Sequence, residues 1–493
     1  MMREETMKKN KRKKKVVLNL IFNIIALIST IMAIVFAVYI YKLDMIPDNY
    51  LRIFIIALIV IYLILLCFTL PRHMKIGFKI VACIFLLIFA FTFGYGIKYA
   101  DKTISFIDVI NDELKQKEEY SIKTLQSNNV TEDNLNNKKI GVFKNENYDK
   151  LTQKLKKKYP KVEIIDYTDP ITFYEDLTDG KIDAVIASDN VYGLLETELE
   201  YLKLELKKVD KIDVPVDTKE HDIVKIVDVT NTPFNIFVAG GDAWGSITKV
   251  MNTDVNMVVS VDPINHKLLL TSIPRDYYVI LPSKGENVYD KLTHAGYYGV
   301  EESVKTVEKL LDIDINYYAK VNFSTIEKVV DAIGGIEVNS DYRFRFYEPE
   351  NGMNFVYKKG INKLNGKQAL GFARERSSFN DGDVQRVKNQ QKVISGIIDK
   401  VSSSKTIINK YTDILDAISK SFATNLDSKS ISRLVKMQLN DMRGWDVESQ
   451  NLVGYSATSR NCYSIPNMSL YVMKQDENSV KSASEKIKTF IGK

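Results

Sequence analysis

The stretch of sequence that decides the fold is PFNIFVAGGD, residues 233–242. A largely apolar run over 234–239, followed directly by two glycines, is typical of a strand buried inside a sheet. The glycines free the backbone to turn or to approach a ligand, and the carboxylate of Asp242 emerges where the strand ends. Because open α/β sheets bind ligands at that edge, the stretch predicts both a sheet and the position of a site.

The residues that follow continue this sheet. Two more strands are predicted over 255–261 and 268–273, joined by the turn sequence DPIN at 262–265. We expect the residues from Trp445 onward, including a strand at 470–473, to complete the same sheet.

Helices are predicted between and after these strands. Apolar residues recur at helical spacing over 300–311. A second helix begins at STIE (324–327), which we interpret as a capping box, and ends at the glycines 334–335 before a strand at 336–338. A final helix is predicted over 480–491.

A smaller α/β segment precedes this sheet. An amphipathic helix is predicted from Asp101 to about Thr124, followed by a polar linker at 127–139. Strands then alternate with helices, which implies a small parallel sheet. The strands are predicted at 140–143, 162–167 and 182–187, and the helices at 148–159 and 171–177. Since the segment contains no phosphate loop and no cluster of metal ligands, we interpret it as an interaction or scaffold domain.

Three apolar stretches lie near the N-terminus, at 16–41, 53–70 and 76–95. Each reaches or approaches the ~20 residues that cross ~30 Å of hydrocarbon as a helix. The basic loop at 71–75 suits the cytoplasm and the acidic loop at 43–50 suits the outside. We therefore predict a cytoplasmic tail over 1–15, a three-helix membrane anchor over 16–100, and all later residues outside the cytoplasm.

The charge distribution argues against a nucleic-acid-binding protein. The 493 residues carry a net charge of +6, but residues 1–15 contain eight of the 68 basic and two of the 62 acidic side chains. The remaining chain therefore has 60 of each. A basic tail beside a membrane span is typical of an orientation signal, so we predict no nucleic-acid partner. The three cysteines are too few for a disulfide framework.

Two aspartates at strand ends are candidate metal ligands. Asp242 follows the first strand of the sheet, and Asp254 directly precedes the next. Converging carboxylates suit Mg²⁺, which takes its remaining ligands from water and phosphate. The alternative is that the GGD sequence is simply a turn.

Four arginines at the ends of predicted elements form a second set of candidates. They are Arg275, Arg374, Arg376 and Arg386. Planar guanidinium groups bind phosphate oxygens in a bidentate manner. Gln390 lies four residues after Arg386, on the same face of a predicted helix with an apolar stripe at 387, 394, 397, 398 and 401.

The surroundings of these arginines leave a structural alternative open. Asp383 is interpreted as the N-cap of the helix that carries Arg386. The acidic neighbours Glu375, Asp381 and Asp383 would instead hold the arginines in surface salt bridges. Lys291 and His294 are weaker candidates, because a histidine before a helix is more often a structural hydrogen-bonding residue.

In these motifs the chain resembles the LytR–CpsA–Psr family over about residues 231–491. The resemblance rests on GGD (240–242), DVNM (254–257), SIPRDYY (272–278), DKLTHAG (290–296), AIGGI (332–336), LNGKQAL (364–370), FARER (372–376), DGD (381–383), Arg386 and NQQK (389–392). One such motif would be weak evidence, whereas this many in order is strong. The three spans and the small α/β segment resemble the capsule-type members in particular.

The resemblance implies a mixed-sheet α/β enzyme outside the cell membrane of a Gram-positive bacterium. With Mg²⁺ it would move a glycopolymer, such as a capsular polysaccharide or a teichoic acid, from a polyprenyl-pyrophosphate carrier to peptidoglycan. An apolar groove would hold the lipid chain. The accessory domain would occupy 101–230 and the catalytic domain 231–493, and polysaccharide synthesis or export machinery is a further expected partner.

The resemblance also implies roles for the candidate residues. Asp242 and Asp254 would hold the metal or take the proton of the acceptor hydroxyl. The arginines and Lys291 would bind the pyrophosphate, with Gln390 in support. The residues expected to take part in catalysis are Asp242, Asp254, Arg275, Arg374 and Arg376.

Two positions depart from the family pattern, and two other functions stay open. Asn252 and Lys388 stand where the family often has arginine. A membrane-bound attenuator of gene expression, or a polysaccharide-binding module, is one alternative. A polyprenyl-pyrophosphate hydrolase that uses the same site with water is the other, since the acceptor leaves no linear motif.

Overall fold

A computed structural model describes residues 2–112, 117–144, 147–198, 205–215, 225–241, 253–349, 352–402, 405–418 and 422–493. The chain divides into two compact units. The first, here called the anchor unit, comprises Met1–Asp108 and Ser428–Met442. The second, the sheet unit, comprises Val109–Asp427 and Arg443–Lys493.

Three long helices begin the chain: α1 (Met2–Leu43), α2 (Asp48–Thr69) and α3 (Ile76–Asp112). Each contains a segment long and apolar enough to cross a membrane, which confirms the three predicted apolar helices. Polar side chains connect them: Ser29 Oγ donates to the carbonyl oxygen of Leu86 at 3.1 Å, and Lys79 Nζ donates to Asn19 Oδ1 at 2.8 Å. Such buried polar contacts fix how apolar helices pack.

A helix from the C-terminal half of the chain also belongs to the anchor unit. It is α13 (Ser428–Asp441), and its Lys436 Nζ lies 2.9 Å from Asp44 Oδ1 and 2.8 Å from Asp48 Oδ1. Both aspartates lie at the α1–α2 loop, which the charge pattern places outside. The contact therefore brings α13 to this loop within the anchor unit.

The prediction of a helix from Asp101 to about Thr124 is wrong from Lys117 onward. A strand, β1 (Lys117–Leu125), takes its place. Within it Tyr120, Ser121, Ile122 and Thr124 are all buried, so both faces of the strand are covered. Two neighbouring strands pair with it, and this tertiary packing overrides the helical pattern.

The small sheet, residues 117–215, has the strand order β3-β2-β4-β1-β5. Its further elements are β2 (Lys139–Phe143), α4 (Tyr148–Lys158), β3 (Glu163–Tyr167), α5 (Pro170–Thr178), β4 (Ala184–Ser188), α6 (Asp189–Glu198) and β5 (Leu206–Pro215). The predicted strands at its centre are parallel, with β2 between β3 and β4. The sheet as a whole is mixed, because β1 runs antiparallel to both β4 and β5.

The large sheet has the order β16-β11-β6-β7-β8-β17. Its strands are β6 (Phe234–Gly241), β7 (Val255–Asp262), β8 (Lys267–Ile273), β11 (Tyr317–Asn322), β16 (Phe422–Thr424) and β17 (Asp446–Asn451). The β11–β6 and β8–β17 pairs are parallel and the others antiparallel, which confirms a mixed sheet.

Helices and short strand pairs pack around the large sheet. The helices are α7 (Leu292–Ala295), α8 (Val300–Leu311), α9 (Phe323–Ala332), α10 (Gly366–Arg374), α11 (Gly382–Ser402), α12 (Lys405–Ile418) and α14 (Glu477–Phe490). The strand pairs join β9 (Tyr278–Ile280) to β10 (Tyr289–Lys291), β12 (Ile336–Ser340) to β15 (Gly360–Leu364), β13 (Phe344–Glu348) to β14 (Met353–Tyr357), and β18 (Gly454–Ser459) to β19 (Leu470–Gln475).

Two local predictions in this region need correction. The capping box of α9 is formed by Asn322 and Thr325 rather than by residues 324–327, and each side-chain oxygen accepts a hydrogen bond from the backbone N–H of the other residue. The predicted strand at 470–473 exists as β19, but it pairs with β18 instead of joining the large sheet. Only β17 of the C-terminal region extends that sheet.

The large sheet is covered on both faces. On one face Phe237, Val258 and Leu269 pack in a buried apolar cluster with residues of α8 and α14. The other face receives α11, where Gln391 Nε2 donates to Ser272 Oγ at 2.9 Å and to the carbonyl oxygen of Gln450 at 3.0 Å. These bonds fix the helix that carries Arg386 against β8 and β17.

Candidate functional site

The close approach of β7 to the end of β6 explains why position 240, the first glycine of the GGD sequence, is a glycine. A Cβ atom at Gly240 would lie 2.8 Å from Cβ of Val255 on β7, so only glycine fits between the strands. Asp242 and Asn252 lie outside the described residues. The proposed role of Asp242 therefore stays a prediction.

Asp254 and Arg275 meet because of strand register. The antiparallel β7–β8 pair places Asn256 opposite Ile273, and two residues further along the same register brings position 254 opposite position 275. Arg275 Nη1 donates to Asp254 Oδ1 at 2.6 Å. Burial opposes the charge on Arg275, but the carboxylates of Asp254 and Asp276 outweigh it and raise the pKa of the guanidinium.

Arg386 joins this pair from the first turns of α11. It forms an ion pair with Asp383, which lies inside the first turn of the helix rather than at its N-cap. Burial, together with repulsion from Arg275 and Arg376, lowers the pKa of Arg386 despite the carboxylates of Asp383 and Asp254. We call Asp254, Arg275, Arg376, Asp383 and Arg386 the arginine cluster.

The arginine cluster has unused hydrogen-bond donors. The Nε atoms of Arg275 and Arg386 are buried, and neither has a hydrogen-bond partner among the described residues. Arg275 Nε lies 3.5 Å from Asp276 Oδ2, close enough for an ion pair but without hydrogen-bond geometry. Buried donors in native proteins are nearly always bonded, so these point to an anionic ligand.

Arg374 and Arg376 separate in the structure, although they are two residues apart. Arg374, the last residue of α10, lies with its Nη1 2.9 Å from Glu348 Oε1, in a salt bridge whose partner is not one of the acidic neighbours that the sequence suggested. The Arg376 side chain is exposed and contributes to the field at Arg386. The structure thus brings Arg376, but not the Glu348-bound end of Arg374, into the arginine cluster.

The buried side of α11 differs from the predicted apolar stripe. The most buried residues are Gln385, Asn389, Val393 and Gly396, whereas Val387 and Ile394 are half-buried. Gln385 Nε2 donates to Asn389 Oδ1 at 3.0 Å, and Asn389 Nδ2 has no partner among the described residues. Gln390 is also buried, one turn after Arg386. The amide-rich run at 389–391 is the signal that could have located this polar side.

Lys291 and His294 lie in a second, fully bonded cluster. Lys291 Nζ donates to Glu198 Oε1 at 2.7 Å, and His294 Nε2 lies 3.1 Å from the same oxygen. His294 Nδ1 lies 2.7 Å from Asp290 Oδ1. Burial opposes its charge, but the Asp290 and Glu198 carboxylates raise the pKa of His294. Sequence reasoning missed Glu198, because nothing local marks one glutamate of α6.

The described residues contain no group of three or more His, Cys, Asp or Glu side chains that could hold a metal. Asp254 nevertheless fits Mg²⁺, because its Oδ1 is bonded to Arg275 and Oδ2 remains to serve as a ligand. Mg²⁺ needs only one or two carboxylates when phosphate and water complete its shell. Asp254 is thus the described residue suited to the metal.

Residues 200–487 match the LytR_cpsA_psr family. The chain belongs to this family. The resemblance stated from the motifs is therefore confirmed, and the match covers the large sheet, the arginine cluster and the Lys291 segment.

The relatives include named transferases. Over 252 residues the chain is 36% identical to the polyisoprenyl-teichoic acid–peptidoglycan teichoic acid transferase TagU of Bacillus mycoides, covering 51% of this chain and 77% of TagU. It is 34% identical over 246 residues to TagT of Bacillus subtilis, which bears the same enzyme name, covering 49% of this chain and 74% of TagT. The crystal structure of TagV from B. subtilis has a TM-score of 0.44 and 26% identity, covering 53% of this chain and 98% of TagV.

Proposed function

We propose that this protein transfers a glycopolymer from a polyprenyl-pyrophosphate carrier to peptidoglycan. The observation that carries the proposal is the arginine cluster, in which buried guanidinium donors at Arg275 and Arg386 lack partners among the described residues. Membership of the family, and relatives named as teichoic acid transferases, support the identity of the anion as a lipid-linked pyrophosphate.

The residues of the cluster act on the pyrophosphate by position and charge. Arg275 and Arg386 bind its oxygens and stabilise the charge that develops as the phosphoryl group transfers. The acceptor hydroxyl oxygen forms a bond to the phosphorus next to the glycopolymer, and the bond from that phosphorus to the polyprenyl phosphate breaks. The products are a phosphodiester-linked polymer and polyprenyl phosphate.

The proton of the acceptor hydroxyl needs a base, and we assign this role to Asp254, the member of the cluster that is bonded to Arg275. Its bond from Arg275 Nη1 holds the carboxylate in place. Asp242, predicted for the same role or for the metal, follows β6 directly in sequence. Bound Mg²⁺ would neutralise phosphate oxygens, with Asp254 as the described ligand. Exposed Arg376 would extend the binding surface toward the substrate.

The three apolar helices support a multi-pass anchor with the sheet unit outside a Gram-positive cell membrane. A carrier that is itself a membrane lipid would reach the site from that side. The polymer, whether capsular polysaccharide, teichoic acid or another wall glycan, is bound through its pyrophosphate in each case. A capsule-type role and contact with polysaccharide synthesis or export machinery belong to the same proposal.

The test uses the full-length protein in detergent micelles with a synthetic polyprenyl-pyrophosphate sugar, peptidoglycan fragments and Mg²⁺. We expect sugar joined to peptidoglycan by a phosphodiester, and loss of this product in Arg275→Ala. The matched control is Arg460→Ala, an exposed arginine after β18. Free sugar phosphate without attachment would identify a hydrolase instead, and binding without turnover would leave a binding module.

A further inference from the structure

Helix α6 of the small sheet contacts the C-terminal strands and the Lys291 segment through an apolar patch and a charged end. Its Leu194 belongs to one buried cluster with Cys462, Ile465 and Leu470. Its last residue, Glu198, accepts bonds from Lys291 and His294 on a single oxygen, Oε1. Through this helix the small sheet therefore contacts the part of the chain that carries the family motifs.

The charged end of the contact is closed to solvent. The exposed fraction of the side chain is 6% for Lys291, 1% for His294 and 12% for Glu198. Carboxylates only accept hydrogen bonds, so Asp290 at Nδ1 and Glu198 at Nε2 both favour the imidazolium form of His294, and the Ser464 hydroxyl lies 2.8 Å from Nδ1 as a further partner. Lys291 Nζ and His294 Nε2 thus form a buried pair of charged donors that requires an anion between them.

This pair of donors lies next to the arginine cluster. Lys291 Nζ is 3.8 Å from Asp276 Oδ1, and Asp276 Oδ2 is 3.5 Å from Arg275 Nε. The backbone amide of Thr293 also donates to the carbonyl oxygen of Arg275 at 2.8 Å. A single shared carboxylate, Asp276, therefore separates the two sets of cations.

We propose that Glu198 closes the position next to the arginine cluster where Lys291, which the family resemblance already assigns to the pyrophosphate, and His294 would bind an oxyanion, until a phosphate group takes the place of the carboxylate. A phosphate oxygen accepts hydrogen bonds from ammonium and imidazolium groups as a carboxylate oxygen does. Docking of α6 is then an autoinhibitory contact, and substrate binding releases the helix. The identity of the anion rests on the proposed function, whereas the closed contact rests on the geometry.

Cys462 provides a built-in reporter of this release. It is 1% exposed within the Leu194 cluster, and burial raises the pKa of its thiol to about 12. A maleimide therefore reacts with it only after α6 opens. The experiment uses the full-length protein in micelles with Cys67→Ala and Cys83→Ala, and inorganic pyrophosphate as the probe. It measures the rate of Cys462 labelling and, by calorimetry, the affinity for pyrophosphate.

We expect Glu198→Gln to increase the labelling rate and the pyrophosphate affinity by about tenfold each. Pyrophosphate should also speed labelling of the Glu198-containing protein. The matched control is Glu119→Gln in the same small sheet. The carboxylate of Glu119 accepts hydrogen bonds from Lys208 and Lys211, and these bonds lower its pKa to about 2. It should change neither quantity.

The proposal is overturned if Glu198→Gln weakens pyrophosphate binding or leaves the labelling rate unchanged. If Glu198→Gln lowers the melting temperature of the whole chain, the effect of pyrophosphate on the Glu198-containing protein decides. Failure of the proposed function looks different, because pyrophosphate then fails to bind with or without Arg275→Ala while Glu198→Gln still speeds labelling. Arg275-dependent binding without any change in labelling contradicts only the closure by Glu198.

Discussion

The arginine cluster and the Lys291–His294 pair lie next to each other, but their cations are arranged in different ways. Arg275 and Arg386 keep buried Nε donors without partners among the described residues. Lys291 and His294 instead direct their charged nitrogens at Glu198. Both sets belong to family motifs, so the motif does not tell which set is open to an anion in this structure. The hydrogen-bond partners among the described residues show that the Nε donors of Arg275 and Arg386 are open and that Lys291 and His294 are closed by Glu198.

The pKa values of Arg386 and His294 are shifted in opposite directions. Burial, together with repulsion from Arg275 and Arg376, lowers the pKa of Arg386, although at Arg275 burial is outweighed by the carboxylates of Asp254 and Asp276, which raise the pKa of that guanidinium. Around His294 the carboxylates prevail over burial, and the pKa is raised. An added anion therefore relieves repulsion in the arginine cluster, whereas in the second cluster it must displace an anion that is already there.

The largest expected effect is that of Arg386→Ala on transfer. Removing one preorganised donor of developing phosphate charge costs about 100-fold in rate or more. The fold should persist, because Asp383 in the first turn of α11 is stabilised by the helix dipole when its partner is removed. Turnover of the lipid-linked sugar and the melting temperature are measured side by side.

Lys392→Ala is the control for Arg386→Ala. Lys392 lies on the same helix and pairs with Asp341 at 2.6 Å on the surface. It should leave transfer unchanged. If Arg386→Ala lowers the melting temperature so far that unfolding accounts for the loss of turnover, Arg386 is a structural ion-pair residue. The contrast between the two clusters then disappears.

A smaller effect is expected in the pH dependence of the Glu198 contact. Burial raises the pKa of Glu198, but bonds from His294 and Lys291 outweigh it and lower the pKa to about 2 from an ordinary 4.5. Its contribution to stability is therefore present above pH 4.5 and lost as the pH falls toward 2. The pKa of His294 is raised above 6.5, so its contribution is present below pH 6.5 and lost as the pH rises through the folded value.

The contact should thus be strongest between pH 4.5 and 6.5. The charged or titratable groups that face it are Asp290, Lys291, Asp276 and the thiol of Cys462, besides Glu198 and His294 themselves. The measurement is the difference in melting temperature between the Glu198-containing protein and Glu198→Gln across this range and on both sides of it. A difference that does not vary with pH would show that the ion pairs contribute nothing to docking.

Local sequence determined the hairpin that builds the arginine cluster. The turn at 262–265 and the two apolar runs around it set the register, and the register alone brings Asp254 to Arg275. The glycines 334–335, both with positive φ, likewise ended α9 where predicted. These features depend on neighbours in the chain, so composition and spacing suffice to locate them.

Contacts between segments that are far apart in the sequence could not be predicted from composition and spacing. Glu198 meets Lys291 across 93 positions, and Arg374 finds Glu348 on a strand pair that the sequence did not predict. The first strand of the small sheet was taken for helix, because its edges become buried only when β4 and β5 pair with it. In each case tertiary packing, which no local pattern reports, decides the role of the residue.

The smallest expected effect is the difference between Arg374→Ala and Arg376→Ala in stability and transfer. Arg374→Ala breaks the pair with Glu348, whose members are 18% and 23% exposed, and should cost about 1 kcal/mol of stability with a modest loss of transfer. Arg376→Ala should leave the melting temperature unchanged and lower transfer more, because its exposed side chain acts on the cluster at Arg386. Thermal unfolding and turnover of both variants, with Arg345→Ala as the control on β13, test this order. The reverse order would mean that Arg374 releases Glu348 to bind substrate, and that its salt bridge resembles the Glu198 contact as a closed form of the site.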